Sequence, residues 1–238
     1  MVAQAGGEAR TFLAGAGGVC YSRRTMKVLV TCGPSYEPID AARRVTNFST
    51  GRLGIALSNA FATRGWDVAC LKGEQATCPD PVQARRVLPF STNDDLAAKL
   101  MSLAGEGGWD AVLHAAALCD FRVERVLNER GEVIASPKFS SREGRLKLVL
   151  APATKVLPQL RGWFPQARIV GWKYELAGSR ADAFGKAFAQ LAECGTDACV
   201  LNGAAYGDGF ACCTPAGAHT CVDNAALADW LARWLEAS

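Results

Sequence analysis

The sequence predicts an α/β fold: an open, mainly parallel sheet with helices on both faces and a small antiparallel flap inserted near its middle. Three observations predict it. From Met26 onward, short apolar runs alternate with stretches of helical periodicity. The apolar runs read as buried strands rather than as half-exposed ones. The alternation lapses only over residues 121–150, where helical signals are few.

Lys27 to Cys32 forms the first strand. Gly51 to Arg64 follows as a helix, with Leu53, Leu57, Ala60 and Phe61 on one face and Gly65 as its stop. Asp67 to Leu71 is the next strand. Ser91 is placed to cap a helix carrying Leu96, Leu100 and Leu103, which ends at the glycines around 105–108. Asp110 to Ala115 is another buried strand. Within the flap, Glu132 to Ala135 and Leu146 to Leu150 read as an antiparallel pair. The alternation then resumes. Thr154 to Phe164 forms a short helix with a proline bend, Arg168 to Lys173 a strand, Ser179 to Cys194 a helix and Asp197 to Leu201 a strand. Phe210 to Cys213 and His219 to Val222 form a terminal hairpin. Leu227, Trp230, Leu231, Trp234 and Leu235 recur at helical spacing as the packing stripe of a last helix.

This pattern makes residues 26–238 a single Rossmann-like domain with a flap insertion at about 121–150. Residues 1–25 read as a disordered extension. Their short apolar segment, Phe12 to Val19, is interrupted by glycines, which argues against a secretory signal.

Composition excludes several classes. The chain has 238 residues, half of them hydrophobic and 21% charged, which suits an ordinary globular core. A net charge of +3 without blocks of like charge points away from nucleic acid and membrane surfaces. No apolar stretch reaches the length of a membrane span. The ten cysteines show no Cys-x-x-Cys pair, and there are only two histidines, His114 and His219, so no zinc site and no other metal ligands of the protein are expected. Reduced core thiols imply a cytoplasmic location.

In an open α/β sheet, ligands bind beyond the carboxyl ends of the strands, where strand order reverses. Four loops qualify. Residues 32–54 leave the first strand and crowd Asn47, Ser49, Thr50 and Gly51 at a helix start, with Gly54 one turn in. Small residues there let backbone N–H groups meet a phosphate, and the helix dipole favours its charge. Ser49 and Thr50 could merely cap the helix, yet capping does not call for Gly51 and Gly54, each costing about 1 kcal/mol of helix propensity against alanine. Residues 114–121, His-Ala-Ala-Ala-Leu-Cys-Asp-Phe, place alanines at a strand end with Asp120 beyond them; a ligand carboxylate and a turn residue fit Asp120 equally. Trp172 either stacks on a base or packs. Asn202 either reads a base edge or makes a tight turn with Gly203. There is no P-loop and no short Gly-x-Gly-x-x-Gly turn after the first strand. No tyrosine has a lysine four positions later, which disfavours hydride transfer.

Asn47-Phe-Ser-Thr-Gly-Arg-Leu-Gly54 resembles the Asn-x-Ser-Ser-Gly-x-x-Gly stretch of phosphopantothenoylcysteine synthetases, free-standing form. Gly33-x-x-x-x-Pro38 and Arg43 before it, Ala116-Ala117 and Asp120, Trp172 and Asn202 match further segments in order, over residues 26–225. The resemblance implies a ligase that joins 4′-phosphopantothenate and L-cysteine through an acyl-nucleotidylate, with ATP or CTP as co-substrate, Mg²⁺ shielding the phosphates, and no flavin. It implies that Gly33, Ser49, Thr50, Gly51 and Gly54 hold the phosphates, with Trp172 and Asn202 near the base. Asn47 would bond the activated acyl group, and Ala116, Ala117 and Asp120 would line the pantothenate pocket. Arg43 would offset charge at the reacting centre. The flap reads Lys138-Phe-Ser-Ser141 where bacterial relatives carry several lysines, so Lys138 and Lys173 are both candidates for a catalytic lysine. The family forms homodimers. The same fold also admits an NAD(P)-dependent oxidoreductase or a non-catalytic nucleotide-binding relative.

Overall fold

The computed structural model describes residues 25–237, so the expected N-terminal extension lies outside the described residues. The sheet begins with β1 (Lys27–Cys32), whose run of small and branched apolar side chains is buried from Val28 onward. After a long loop, α1 (Arg52–Thr63) crosses to β4 (Asp67–Gly73), and β5 (Arg86–Phe90) adds a further parallel strand. The chain then runs through α2 (Asn93–Glu106) to β6 (Ala111–His114), which pairs with β1 on its other side. β10 (Arg168–Tyr174), α4 (Arg180–Cys194) and β11 (Ala198–Gly203) continue outward, in parallel. β12 (Gly207–Thr214) and β13 (Gly217–Cys221) close that edge as an antiparallel hairpin, and α5 (Asn224–Glu236) packs back over the sheet. The resulting order is β13-β12-β11-β10-β6-β1-β4-β5. Chain progression reverses between β1 and β6, which is the switch point of an open α/β sheet.

Both faces are covered, as expected. Alternate strand residues point to opposite sides. Val28, Val30, Val170 and Val200 pack with Leu57 and Phe61 of α1 and with Leu227, Leu231 and Leu235 of α5. Leu29, Val112 and Ile169 pack with Leu96 and Leu100 of α2 and with Leu160 of α3 (Leu160–Trp163). Ala183, Ala187 and Leu191 of α4 cover Cys199 and Leu201.

Several local expectations are corrected. Thr92, not Ser91, caps α2: the Thr92 hydroxyl accepts from the Asp95 N–H, while the Asp95 carboxylate accepts from the Ser91 N–H. In the flap, the expected pair around Glu132–Ala135 and Leu146–Leu150 does not pair directly. β7 (Phe121–Leu127) lies between β8 (Val133–Ile134) and β9 (Lys147–Pro152) and is bonded to each. The charged, mostly exposed β7 carries no apolar run to announce it. β5 was also hidden, since it carries Pro89 and two arginines nearby; as a sheet edge it needs only one side of its backbone paired, which tolerates proline. The proline bend at 154–164 is a 3₁₀ turn, Leu157–Gln159, running into α3.

Candidate functional site

The loops after β1 and β6 meet at the switch point and continue the sheet's hydrogen bonding beyond its last residues. Ala117 N–H donates to Gly33 O (2.9 Å) and Ser35 N–H to Ala117 O (3.2 Å), so the two loops leave the sheet side by side. The long first loop folds on itself as a small hairpin, β2 (Tyr36–Pro38) and β3 (Arg44–Thr46), which the sequence did not announce. Thr46 Oγ1 ties it down by donating to Ser35 O at 2.7 Å. Asn47, just beyond β3, donates through Nδ2 to Leu118 O at 2.8 Å. One motif residue of the first loop is thereby held against the second.

The glycines have physical reasons. Gly33 and Gly51 both sit at positive φ, +80° and +78°, and a Cβ on either would press on the Ala76 methyl, at 2.7 and 3.0 Å. A Cβ on Gly54 would lie 2.3 Å from that of Cys32, so α1 can approach β1 only with glycine there. Packing thus explains Gly54, while Gly51 opens the helix. The alternative that Ser49 and Thr50 cap α1 holds in part: Gly51 is the N-cap and has no side chain to offer, while Thr50 Oγ1 accepts from the N–H of Arg52, the first helical residue, at 3.3 Å. α2, α4 and α5 instead carry side-chain caps from Thr92, Ser179 and Asp223. α1 also has no acidic residue in its first turn, so its positive end is left for an outside anion.

Beside this lies a cavity of about 200 Å³ lined by Ala116, Leu118, Asp120, Lys155 and Trp172, with His114 and Asn93 among its walls. His114 is buried, 2.9 Å from Thr31 Oγ1, and burial pushes its pKa down to about 4. It is neutral at physiological pH. Asp120 is exposed and paired with the Lys155 ammonium.

Asn93, only 1% exposed, is the hub of the crevice. Its Nδ2 donates to Cys119 O (2.8 Å) and Thr154 O (2.9 Å), and its Oδ1 accepts from Ser35 Oγ at 2.7 Å. Ser35 Oγ in turn accepts from Cys119 N–H at 2.8 Å. One side chain therefore fastens the first loop, the second loop and the segment after β9. Sequence reading missed both Asn93 and Lys155. Asn93 presented as an ordinary first residue of a helix, and Lys155 as a loop lysine.

The remaining predicted residues sit around this crevice in different ways. Arg43 pairs with Asp40 at 3.0 Å and donates to Phe139 O at 2.8 Å, which joins the first loop to the flap. Asp40 also accepts from the Ala42, Arg43 and Phe139 N–H groups; burial opposes its charge, but these donors win and hold its carboxyl below the usual range. Lys138 is exposed in the flap segment fixed by this joint. Lys173 is not brought to the crevice; its ammonium lies 3.5 Å from Glu175, which also accepts from Lys186 of α4. Trp172 packs, partly buried, against the α1–α5 core, and its indole N–H has no acceptor among the described residues. Asn202 lies beside Tyr174 in the β10–β11 register, its carbonyl accepting from Glu175 N–H at 2.9 Å. Gly203 follows at φ +112°, where a Cβ would strike Glu175 O at 2.4 Å.

Fold and geometry together define a Rossmann-like α/β protein with a crevice at the sheet's switch point, where open α/β sheets take their ligands. The chain belongs to the DNA/pantothenate metabolism flavoprotein C-terminal domain family, whose model matches residues 24–227. The coenzyme A biosynthesis bifunctional protein CoaBC of Mycolicibacterium smegmatis is 32% identical over 76% of this chain and 43% of its own length. The chain spans less than half the length of this and other curated relatives it matches, 41% to 44%. The structure of the DNA/pantothenate metabolism flavoprotein from Streptococcus pneumoniae superposes with a TM-score of 0.77 at 20% identity, covering 90% of this chain and 99% of that one. A Cab2 mutant in complex with phosphopantothenate-cysteine superposes with a TM-score of 0.67 at 19% identity, covering 89% and 85%.

Proposed function

We propose that this chain is a ligase joining 4′-phosphopantothenate to L-cysteine, with ATP or CTP as the activating co-substrate. The observation that carries the reading is the bond from Asn47 to Leu118 O. It sets the glycine-opened start of α1 beside the cavity of Ala116 and Asp120, so a triphosphate and an acid would meet there. Family membership and the phosphopantothenate-cysteine bound to the Cab2 mutant support the choice of substrates.

On this reading the phosphates lie on the N–H groups around Gly33, Ser49, Thr50, Gly51 and Gly54, at the positive end of α1. The base lies toward Trp172 and Asn202. The acid's carboxylate attacks the α-phosphorus, releasing pyrophosphate. The amine of cysteine then attacks the acyl carbon, and the nucleoside monophosphate leaves. Alignment and charge neutralisation account for the rate, and no protein nucleophile is needed. Asn47 would turn its amide to the acyl oxygen, giving up Leu118 O to do so. Arg43 and Lys138 approach from the flap side, whereas Lys173 would have to leave Glu175. Mg²⁺ would travel with the nucleotide and shield its phosphates. A cytoplasmic homodimer, in which a second copy helps close the crevice, completes the proposal.

The test is pyrophosphate release by the purified chain with ATP or with CTP, omitting the acid or the cysteine in turn. Release that depends on the acid, and product formation that depends on cysteine, is expected. No acid-dependent release with either nucleotide would overturn the reading.

A further inference from the structure

We propose that Lys155 is the residue that recognises an anionic group of the acid substrate, and that Asn93 is the positioning residue that holds it in place. The proposal rests on the ligase reading above and assigns the cation of its acid pocket.

Among the described residues lining the cavity, Lys155 is the sole cation. Its ammonium meets the Asp120 carboxylate at the rim, and both side chains are largely exposed, 60% and 70%. An ion pair that open to water contributes little and exchanges readily for a better partner. Acidic groups crowd the same rim. Asp94 accepts from Thr154 Oγ1, next to Lys155, and Glu37 is close enough for burial and then Asp94 to push its carboxyl up. Arg122 also acts on Glu37 from outside the cavity. Within the lining itself Lys155 alone answers these acids and makes the cavity fit for an anion.

The placement is built rather than incidental. The two carbonyls that the buried Asn93 amide grips belong to Cys119 and Thr154, the residues immediately before Asp120 and Lys155. Ala153 N–H also donates to Asp120 O at 2.9 Å. Two loops with no local reason to meet are thus fastened so that the backbones of Asp120 and Lys155 stand side by side. On substrate binding, Lys155 exchanges Asp120 for the substrate's anion, and the freed carboxylate accepts a hydrogen bond from a substrate hydroxyl or amide.

The anion has two sources in the acid, its phosphate and its carboxylate. The experiment compares the full-length chain with Lys155→Ala, Lys155→Arg and Asn93→Ala, using 4′-phosphopantothenate and its unphosphorylated analogue. Lys155→Ala is expected to raise KM for 4′-phosphopantothenate by about 10- to 100-fold, the range for losing a charged hydrogen bond. KM for the nucleotide should stay within about twofold, and Lys155→Arg should recover most of the loss. Asn93→Ala should raise the same KM, and added salt should narrow its gap to wild type less than it narrows that of a surface lysine. If the penalty disappears with the unphosphorylated acid, Lys155 holds the phosphate; if it persists, Lys155 holds the carboxylate. Either result supports the assignment. An active wild type beside a folded Lys155→Ala with unchanged KM for the acid overturns it and leaves the ligase reading standing. A wild type that neither turns over nor binds 4′-phosphopantothenate in calorimetry overturns both.

Discussion

The two ends of the sheet each hold a cavity, and the larger one is not where the chemistry is expected. At the amino ends of the strands, a cavity of about 450 Å³ is lined by Met26, Arg64, Trp66, Asp110 and Arg168. At the carboxyl ends, the crevice cavity is about 200 Å³. The larger cavity has its arginines committed: Arg64 to Asp229, and Arg168 to the Trp234 carbonyl and, 4.3 Å away, the Trp234 ring. It also faces the carboxyl end of α1, where the dipole is negative. The smaller cavity has a helix start opened by glycine, paired loops rich in small residues, and an ion pair exposed enough to exchange. Direction of the backbone and commitment of the side chains, rather than volume, favour the smaller cavity as the candidate site.

Four measurements would break or sharpen that contrast. The largest effect is expected for Asn47→Ala at the crevice. Pyrophosphate release should fall by about 100-fold or more, the scale for losing an aligned donor at a reacting oxygen. Unfolding in urea should move by less than about 1 kcal/mol, because Asn47 is exposed and makes one bond. Parallel losses of activity and stability would erase the distinction between a working residue and a structural one.

Next is pH. His114 has its folded pKa depressed by burial to about 4 from 6.5, so the unfolded chain binds the extra proton first. Its contribution to stability is therefore complete above pH 6.5 and is lost as pH falls toward 4, by about 3 kcal/mol in total. Urea unfolding at stepped pH should show this slope, and His114→Gln should flatten it. Glu37, whose carboxyl is pushed up, opposes it in part. A slope unaffected by the substitution would assign the acid loss to other groups, such as the depressed carboxyls of Asp95 and Glu175.

Gly54→Ala should cost about 1–3 kcal/mol by overpacking α1 on Cys32, seen as a lower unfolding midpoint, with turnover falling as the helix start shifts. An unchanged midpoint would show that α1 can back away from β1. The smallest effect is expected at the opposite end. Arg64→Ala removes a partly exposed ion pair and should cost at most about 1 kcal/mol, with kcat and KM unchanged. A large kinetic effect there would reverse the comparison.

The sequence's own share was the frame. Buried runs such as Lys27–Cys32 and Ala198–Gly203, and the helical stripes of α1, α2, α4 and α5, are written in local periodicity, because each element must bury its own face. The glycines of the first loop were visible as anomalies, though packing against Ala76 and Cys32 supplies a reason that composition could not. Where periodicity was weak, reading failed. β5 and β7 are edge or exposed strands whose pairing is set by their neighbours.

Only the tertiary structure decided what faces what in the crevice. Asn93 reaches residues 26 and 61 positions away, and Ser35 lies 58 positions before it. Asp120 and Lys155 are 35 positions apart. No local pattern can encode such meetings, because a buried amide finds its acceptors through the packing of whole loops, not through neighbours in the chain. The chain's alternation put candidate loops at the carboxyl ends of the strands, and the strand order then placed the switch point between β1 and β6. The walls of the crevice, and the cation standing in them, were settled by contacts between segments that the sequence alone leaves far apart.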